Sequence, residues 1–76
     1  MEQFTRISHD INIMGGKACI KGTRVTVGML LLQMSEGVTT DILLEDYPYI
    51  TYEDIQQAIK YAAWTVEANE SMIISA

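Results

Sequence analysis

The stretch VTVGMLLLQMSEGVTTDILLEDYPYITYEDIQQAI, Val25–Ile59, repeats one local pattern three times. Val25-Thr26 with Leu30, Val38-Thr39 with Leu43 and Ile50-Thr51 with Ile55 each set an apolar residue before a threonine and another four positions after it. Threonine is a favoured helix N-cap because its hydroxyl accepts one of the amide hydrogens that a helix start leaves without a partner. The flanking apolar pair closes over the cap as a hydrophobic staple. Three helix starts are therefore predicted. Asp54 stands where a capping-box acid reaches back to Thr51, although Glu or Gln is the more usual residue there.

Working outward, the first helix is predicted over about Val27–Glu36, with Val27, Leu30, Leu31 and Met34 on one face and Gly37 as its stop. The second covers about Thr40–Tyr47, buries Ile42, Leu43 and Tyr47, and ends at Pro48, which cannot continue a helix. The third covers about Tyr52–Asn69 with Ile55, Ala58, Ile59, Ala62, Ala63 and Val66 on one face. Before Thr26 the pattern changes: Phe4–Ile7 and, less cleanly, Ala18–Lys21 alternate apolar with polar residues, with a loop of about ten residues between them. A lone two-stranded ribbon is marginal in water, so this one should lie on the helices or pair with another chain. The expected fold is mainly α, a three-helix, homeodomain-like (helix-turn-helix) bundle with a short N-terminal β ribbon. It forms a single domain over 1–76: ribbon and loop 1–25, bundle 26–69, tail 70–76.

At 76 residues the core is thin, and a composition that is 49% hydrophobic favours burial against a partner, a second copy first of all. The single cysteine, Cys19, has no disulfide partner within the chain, and no His or Cys cluster at metal-ligand spacing accompanies it. With no basic-then-apolar leader and no apolar run long enough for a bilayer, the expectation is a soluble cytoplasmic protein without cofactor or membrane association. The net charge of −5 is unevenly spread: residues 1–30 hold four basic side chains against two acidic ones, and residues 31–76 hold Lys60 alone against eight carboxylates. The two halves should face different partners.

The basic half centres on GGKACIKGTRVTV, Gly15–Val27. A nucleotide P-loop needs Ser or Thr after its Gly-Lys, whereas Ala18 follows Gly16-Lys17. Two readings remain: Gly15, Gly16 and Gly22 shape turns with positive φ, and Lys17, Lys21 and Arg24 ride on those turns toward a partner. Thr23 can instead bond local backbone, and Arg24 can pair with a carboxylate of the same chain such as Asp46. No catalytic constellation is legible. His9 reads as a solvated loop histidine, and Cys19 as a small buried strand residue, although Lys17 and Lys21 beside it would favour its thiolate. Adjacent carboxylates, Glu45-Asp46 and Glu53-Asp54, diverge on a helix and do not converge on a metal.

The second and third predicted helices have helix-turn-helix spacing, and Tyr52, Glu53, Gln56, Gln57 and Lys60 lie on the outer face of the third. Glutamine reads adenine edges, but phosphate contacts carry most DNA affinity and this face holds one lysine among carboxylates. Contact with DNA through Tyr52, Gln56, Gln57 and Lys60 therefore needs help from the basic ribbon, with Arg6 as its candidate, doubled by dimerisation.

The run Met14–Val27 resembles the signature GGKPCIRGTRIPV of the domain-of-unknown-function family 433, and EGVTTDILLEDYPYITYEDIQQAIKYAA resembles that family's helix-turn-helix half. The likeness covers about residues 4–66 and departs from the family pattern at Ala18 and Thr26, where proline is usual. Many members resemble VapB-type antitoxins encoded beside a PIN-domain ribonuclease toxin whose magnesium site is a carboxylate cluster. The resemblance thus implies a non-enzymatic antitoxin-like homodimer that neutralises such a toxin and binds its operator in complex. The alternative is a helix-turn-helix regulator without a toxin. A basic side chain entering an acidic metal site competes with the metal. Lys17 and Arg24, then Lys21, are the candidates on this chain. The rival placement puts Met72, Ile73 and Ile74 in an apolar groove of the toxin.

Overall fold

The computed structural model describes residues 3–75, with side chains described through Glu70. Met72, Ile73 and Ile74, proposed from sequence as partner contacts, have side chains outside the described residues.

Two strands, β1 (Ile7–Ser8) and β2 (Cys19–Ile20), pair antiparallel with Ile7 opposite Ile20 and Ser8 opposite Cys19. Three helices follow: α1 (Val27–Ser35), α2 (Thr40–Asp46) and α3 (Tyr52–Ser75). The mainly helical fold with an N-terminal ribbon is thus as the sequence indicates. The ribbon is shorter than the alternation suggests, because Phe4 belongs to a turn closed by the Ile7 amide donating to the Phe4 carbonyl at 3.1 Å.

All three threonine caps form. Thr26 Oγ1 accepts from Met29 N at 2.9 Å, Thr39 Oγ1 from Ile42 N at 3.3 Å and Thr51 Oγ1 from Asp54 N at 3.1 Å. Asp54 completes the box by accepting from Thr51 N at 2.9 Å. The staple residues supply much of the core: Val25, Leu30, Leu43, Ile50 and Ile55 are all buried, joined by Phe4, Ile7, Ile20, Val27 and Ala58. A cap motif that sets helix direction also sets what the helix buries. At the far end of α1, Gly37 adopts φ 94, while Gly37 N donates to Met34 O and Val38 N to Gln33 O, both at 3.0 Å. This is the paired closure of a Schellman motif, and its left-handed residue suits glycine.

Two expected faces need correction. Ile42 is exposed, and α2 packs instead through Leu43, Leu44 and Tyr47, since a seven-residue helix turns only one narrow face inward. Ala63 and Val66 are also exposed: the core under α3 ends near Ala62, yet the helix continues to Ser75 rather than stopping near Asn69.

Candidate interaction surfaces

The ribbon is held on α3 by contacts that reach across the whole chain. Arg6 Nη1 donates to Asp54 Oδ1 at 3.1 Å, and the Arg6 amide donates to Gln57 Oε1. Phe4 packs edge-on to Tyr61 with ring centroids 5.4 Å apart and lies beside Trp64. His9 is exposed but not free. Gly16 O can only accept, so His9 Nδ1–H donates to it across 3.0 Å, and in the neutral ring Nε2 accepts from Tyr61 OH at 3.1 Å. It thereby ties the Gly15-Gly16 turn to α3, a role that its place in a loop does not suggest. Tyr61, absent from the sequence-derived candidates, is the residue on which the turn and ribbon converge; its i+3 spacing from Ala58 was its one available signal.

The basic segment is built on a compact turn. Ile20 N donates to Val25 O at 2.9 Å, and Gly22 at φ 80 reverses the chain between them. Thr23 Oγ1 donates to Ile20 O at 2.8 Å and accepts from Val25 N at 3.0 Å, so one hydroxyl stitches both arms together. Lys21 and Arg24 flank it in exposed positions, and Lys17 is exposed after the Gly15-Gly16 turn, where φ is 67 and 87. The one ion pair among the described residues is Arg6–Asp54. Arg24 therefore does not pair with Asp46: it lies on the ribbon turn, where its charge acts on Cys19. Burial pushes the Cys19 thiol above its ordinary pKa, with Arg24 opposing more weakly, so the lysines beside it in sequence do not make it a reactive thiolate.

A second surface collects all five sequence-derived DNA candidates. Arg6, Tyr52, Gln56, Gln57 and Lys60 line one open cleft of about 320 Å³ together with Gln3 and Glu53. Within it Arg6 is already engaged by Asp54 and Gln57 accepts from the ribbon backbone, so Lys60 is the one cation there without an ion-pair partner among the described residues.

A third surface was not anticipated. A groove of about 730 Å³ opens between the Met14–Ala18 turn, the outer face of α1 and α3 from Tyr61 to Val66. Its lining is mostly apolar, Leu32 and Val66 being 62% and 55% exposed, Lys17 is part of it, and no carboxylate among the described residues lines it. Among the described residues no helix is long and apolar enough to cross a membrane.

Fold and surfaces together define a small helical bundle with a short N-terminal β ribbon. The family model described as "Protein of unknown function (DUF433)" matches residues 7–62, and the chain belongs to that family. The chain is similar to the solved crystal structure of a DUF433 member protein from Anabaena variabilis ATCC 29413, with TM-score 0.78 and 28% identity over 96% of this chain and 73% of that one. No curated protein matches it.

Proposed function

We propose that this protein is the antitoxin-like member of a toxin–antitoxin pair, a cytoplasmic homodimer that binds and neutralises a PIN-domain ribonuclease and, in complex, its own operator. One observation carries the reading: Lys17, Lys21 and Arg24 are exposed without an ion-pair partner among the described residues, on a protein of net charge −5. Such cations suit a carboxylate-lined metal site, where a guanidinium or ammonium forms charge-assisted hydrogen bonds in the metal's place. The Thr23 stitch holds Arg24 on a formed turn, which lowers the ordering cost of binding.

A regulator without a toxin is the second reading, and the convergence of Tyr52, Gln56, Gln57 and Lys60 on one cleft favours it. Its weakness is Glu53 in the same cleft, with Arg6 already held by Asp54.

The first reading requires a PIN-domain coding region beside this one, and co-expression and pull-down with its product tests it. Wild type should co-purify and suppress ribonuclease activity, and Lys17→Ala with Arg24→Ala should lose both. Undiminished binding by the double variant removes the cationic mechanism. Operator binding that falls steeply with salt in the absence of any toxin favours the regulator.

A further inference from the structure

We infer that the groove between α1 and the C-terminal half of α3 is the self-association surface, and that its occupant is α3 of a second copy. The inference rests on the homodimer in the proposed function and is independent of the ribonuclease.

Four observations select this occupant. First, α3 outruns its own bundle: core contacts end near Ala62, every residue from Val66 to Glu70 is exposed, and the helix still continues to Ser75. Two or more unsupported turns are not stable on local propensity alone. Second, the protein exposes 5208 Å², whereas a folded monomer of its 8.5 kDa exposes about 4,700 Å². The excess, about 500 Å², is roughly two-thirds of the ~800 Å² that one partner buries in a standard interface. Third, the charges match. The groove is lined by Lys17 and, among the described residues, by no carboxylate, while the projecting end of α3 carries Glu67 and Glu70. Most partners of an acidic protein need a basic face, but this groove is a place where the protein's own acidic helix is welcome. Fourth, Gly28 in the first turn of α1 lines the groove, has ordinary helical backbone, and has nothing within 4 Å of where a Cβ would stand. Nothing inside the monomer requires glycine there. A close-packed partner backbone would account for it, and Ala62, another small residue, lines the same groove.

Because Thr65 and Val66 both line the groove and belong to the projecting helix, the contact is self-complementary, as a two-fold interface demands. The two α3 helices cross near Ala62 and Val66, and each acidic end runs along the partner's α1 toward the partner's Lys17.

The experiment is sedimentation equilibrium on the protein alone, without toxin or DNA. Wild type should be dimeric at micromolar concentration. Leu32→Glu and Val66→Glu each place a carboxylate in the apolar contact of both copies and should weaken the dimer by about 100-fold or more. Both residues are more than half exposed, so the bundle should stay folded, and any loss of helical circular dichroism should be confined to the projecting turns of α3. Ile42→Glu, exposed but outside the groove, should leave the dimer intact. A purified Val66→Cys variant should form an intermolecular disulfide on mild oxidation. A monomeric wild type at about 100 μM, or a dimer as tight in Leu32→Glu and Val66→Glu as in wild type, overturns the proposal. Loss of the dimer with ribonuclease binding retained supports this surface and leaves the cationic reading standing; the reverse separates them the other way.

Discussion

Removing Asp54 tests whether the ribbon is anchored as the geometry implies. The carboxylate is nearly buried, accepts from Thr51 N at 2.9 Å at the start of α3, and accepts from Arg6 Nη1 at 3.1 Å. Asp54→Ala strands the Thr51 amide, which costs about 1 kcal/mol. It deletes an ion pair whose arginine is 44% exposed, worth about 0.5 kcal/mol. It also removes an acid from the first turn of a long helix, about another 0.5 kcal/mol. The expected loss is near 2 kcal/mol, or a melting temperature lower by roughly 8–16 °C in a domain of this size. Urea and thermal melts measure it, with wild type and variants at equal protein concentration, because the proposed self-association would make stability concentration-dependent. Arg6→Met in a double-mutant cycle with Asp54→Ala isolates the pair, with an expected coupling of about 0.5 kcal/mol. A loss below about 0.5 kcal/mol for Asp54→Ala, or no coupling, would refute the anchor and return Arg6 to the cleft as a free cation.

Three further outcomes follow from single sites. Gly37→Ala should lower stability by about 1–2 kcal/mol purely through backbone conformation, since φ is 94 and no atom lies within 4 Å of the added Cβ; a guanidinium titration measures it. Cys19 should resist thiol reagents in the native state and react only on unfolding. Its raised pKa sets the sign of a pH effect: above 9.0 the unfolded thiol ionises while the buried one holds its proton, so stability is full below that pH and falls as pH rises toward the folded value. In the proposed ribonuclease complex, Thr23→Ala should weaken binding several-fold by calorimetry with every charge retained, because both arms of the Arg24 turn lose their shared hydroxyl.

What was legible in the sequence was what short-range chemistry decides. A threonine cap, its staple and a glycine stop are settled within about six residues, and Thr26, Thr39, Thr51 and Gly37 all behave as their neighbours dictate. The same holds for the Gly22-Thr23-Arg24 turn, whose local bonding was one of two open readings. The misses are long-range. Arg6 meets Asp54 across 48 positions and His9 meets Tyr61 across 52, and no periodicity records such pairings. Ile42 and Val66 satisfy a helical apolar pattern yet face outward, because the pattern says which side a residue is on but not whether anything packs there. The groove belongs to this second kind: Leu32, Gly28, Tyr61 and Val66 are unremarkable one by one and form a surface only when α1 and α3 come together.

The fate of the N-terminal cations explains how one small chain presents two unlike surfaces. Arg6 is drawn onto α3 by Asp54, the carboxylate that the Thr51 capping box had already fixed in place, so the charge nearest the acidic helix is neutralised by the residue that starts that helix. Lys17, Lys21 and Arg24 sit instead on turns closed by backbone and by Thr23, and among the described residues those turns bring them into an ion pair with no carboxylate. Of the four N-terminal cations, one is thus paired within the chain and three stay exposed. A polar arrangement of this kind gains nothing for the isolated monomer, where unpaired lysines contribute little to stability. Exposed cations on a protein of net charge −5 suit the anionic partner proposed above, since local positive charge favours one approach while net negative charge disfavours others.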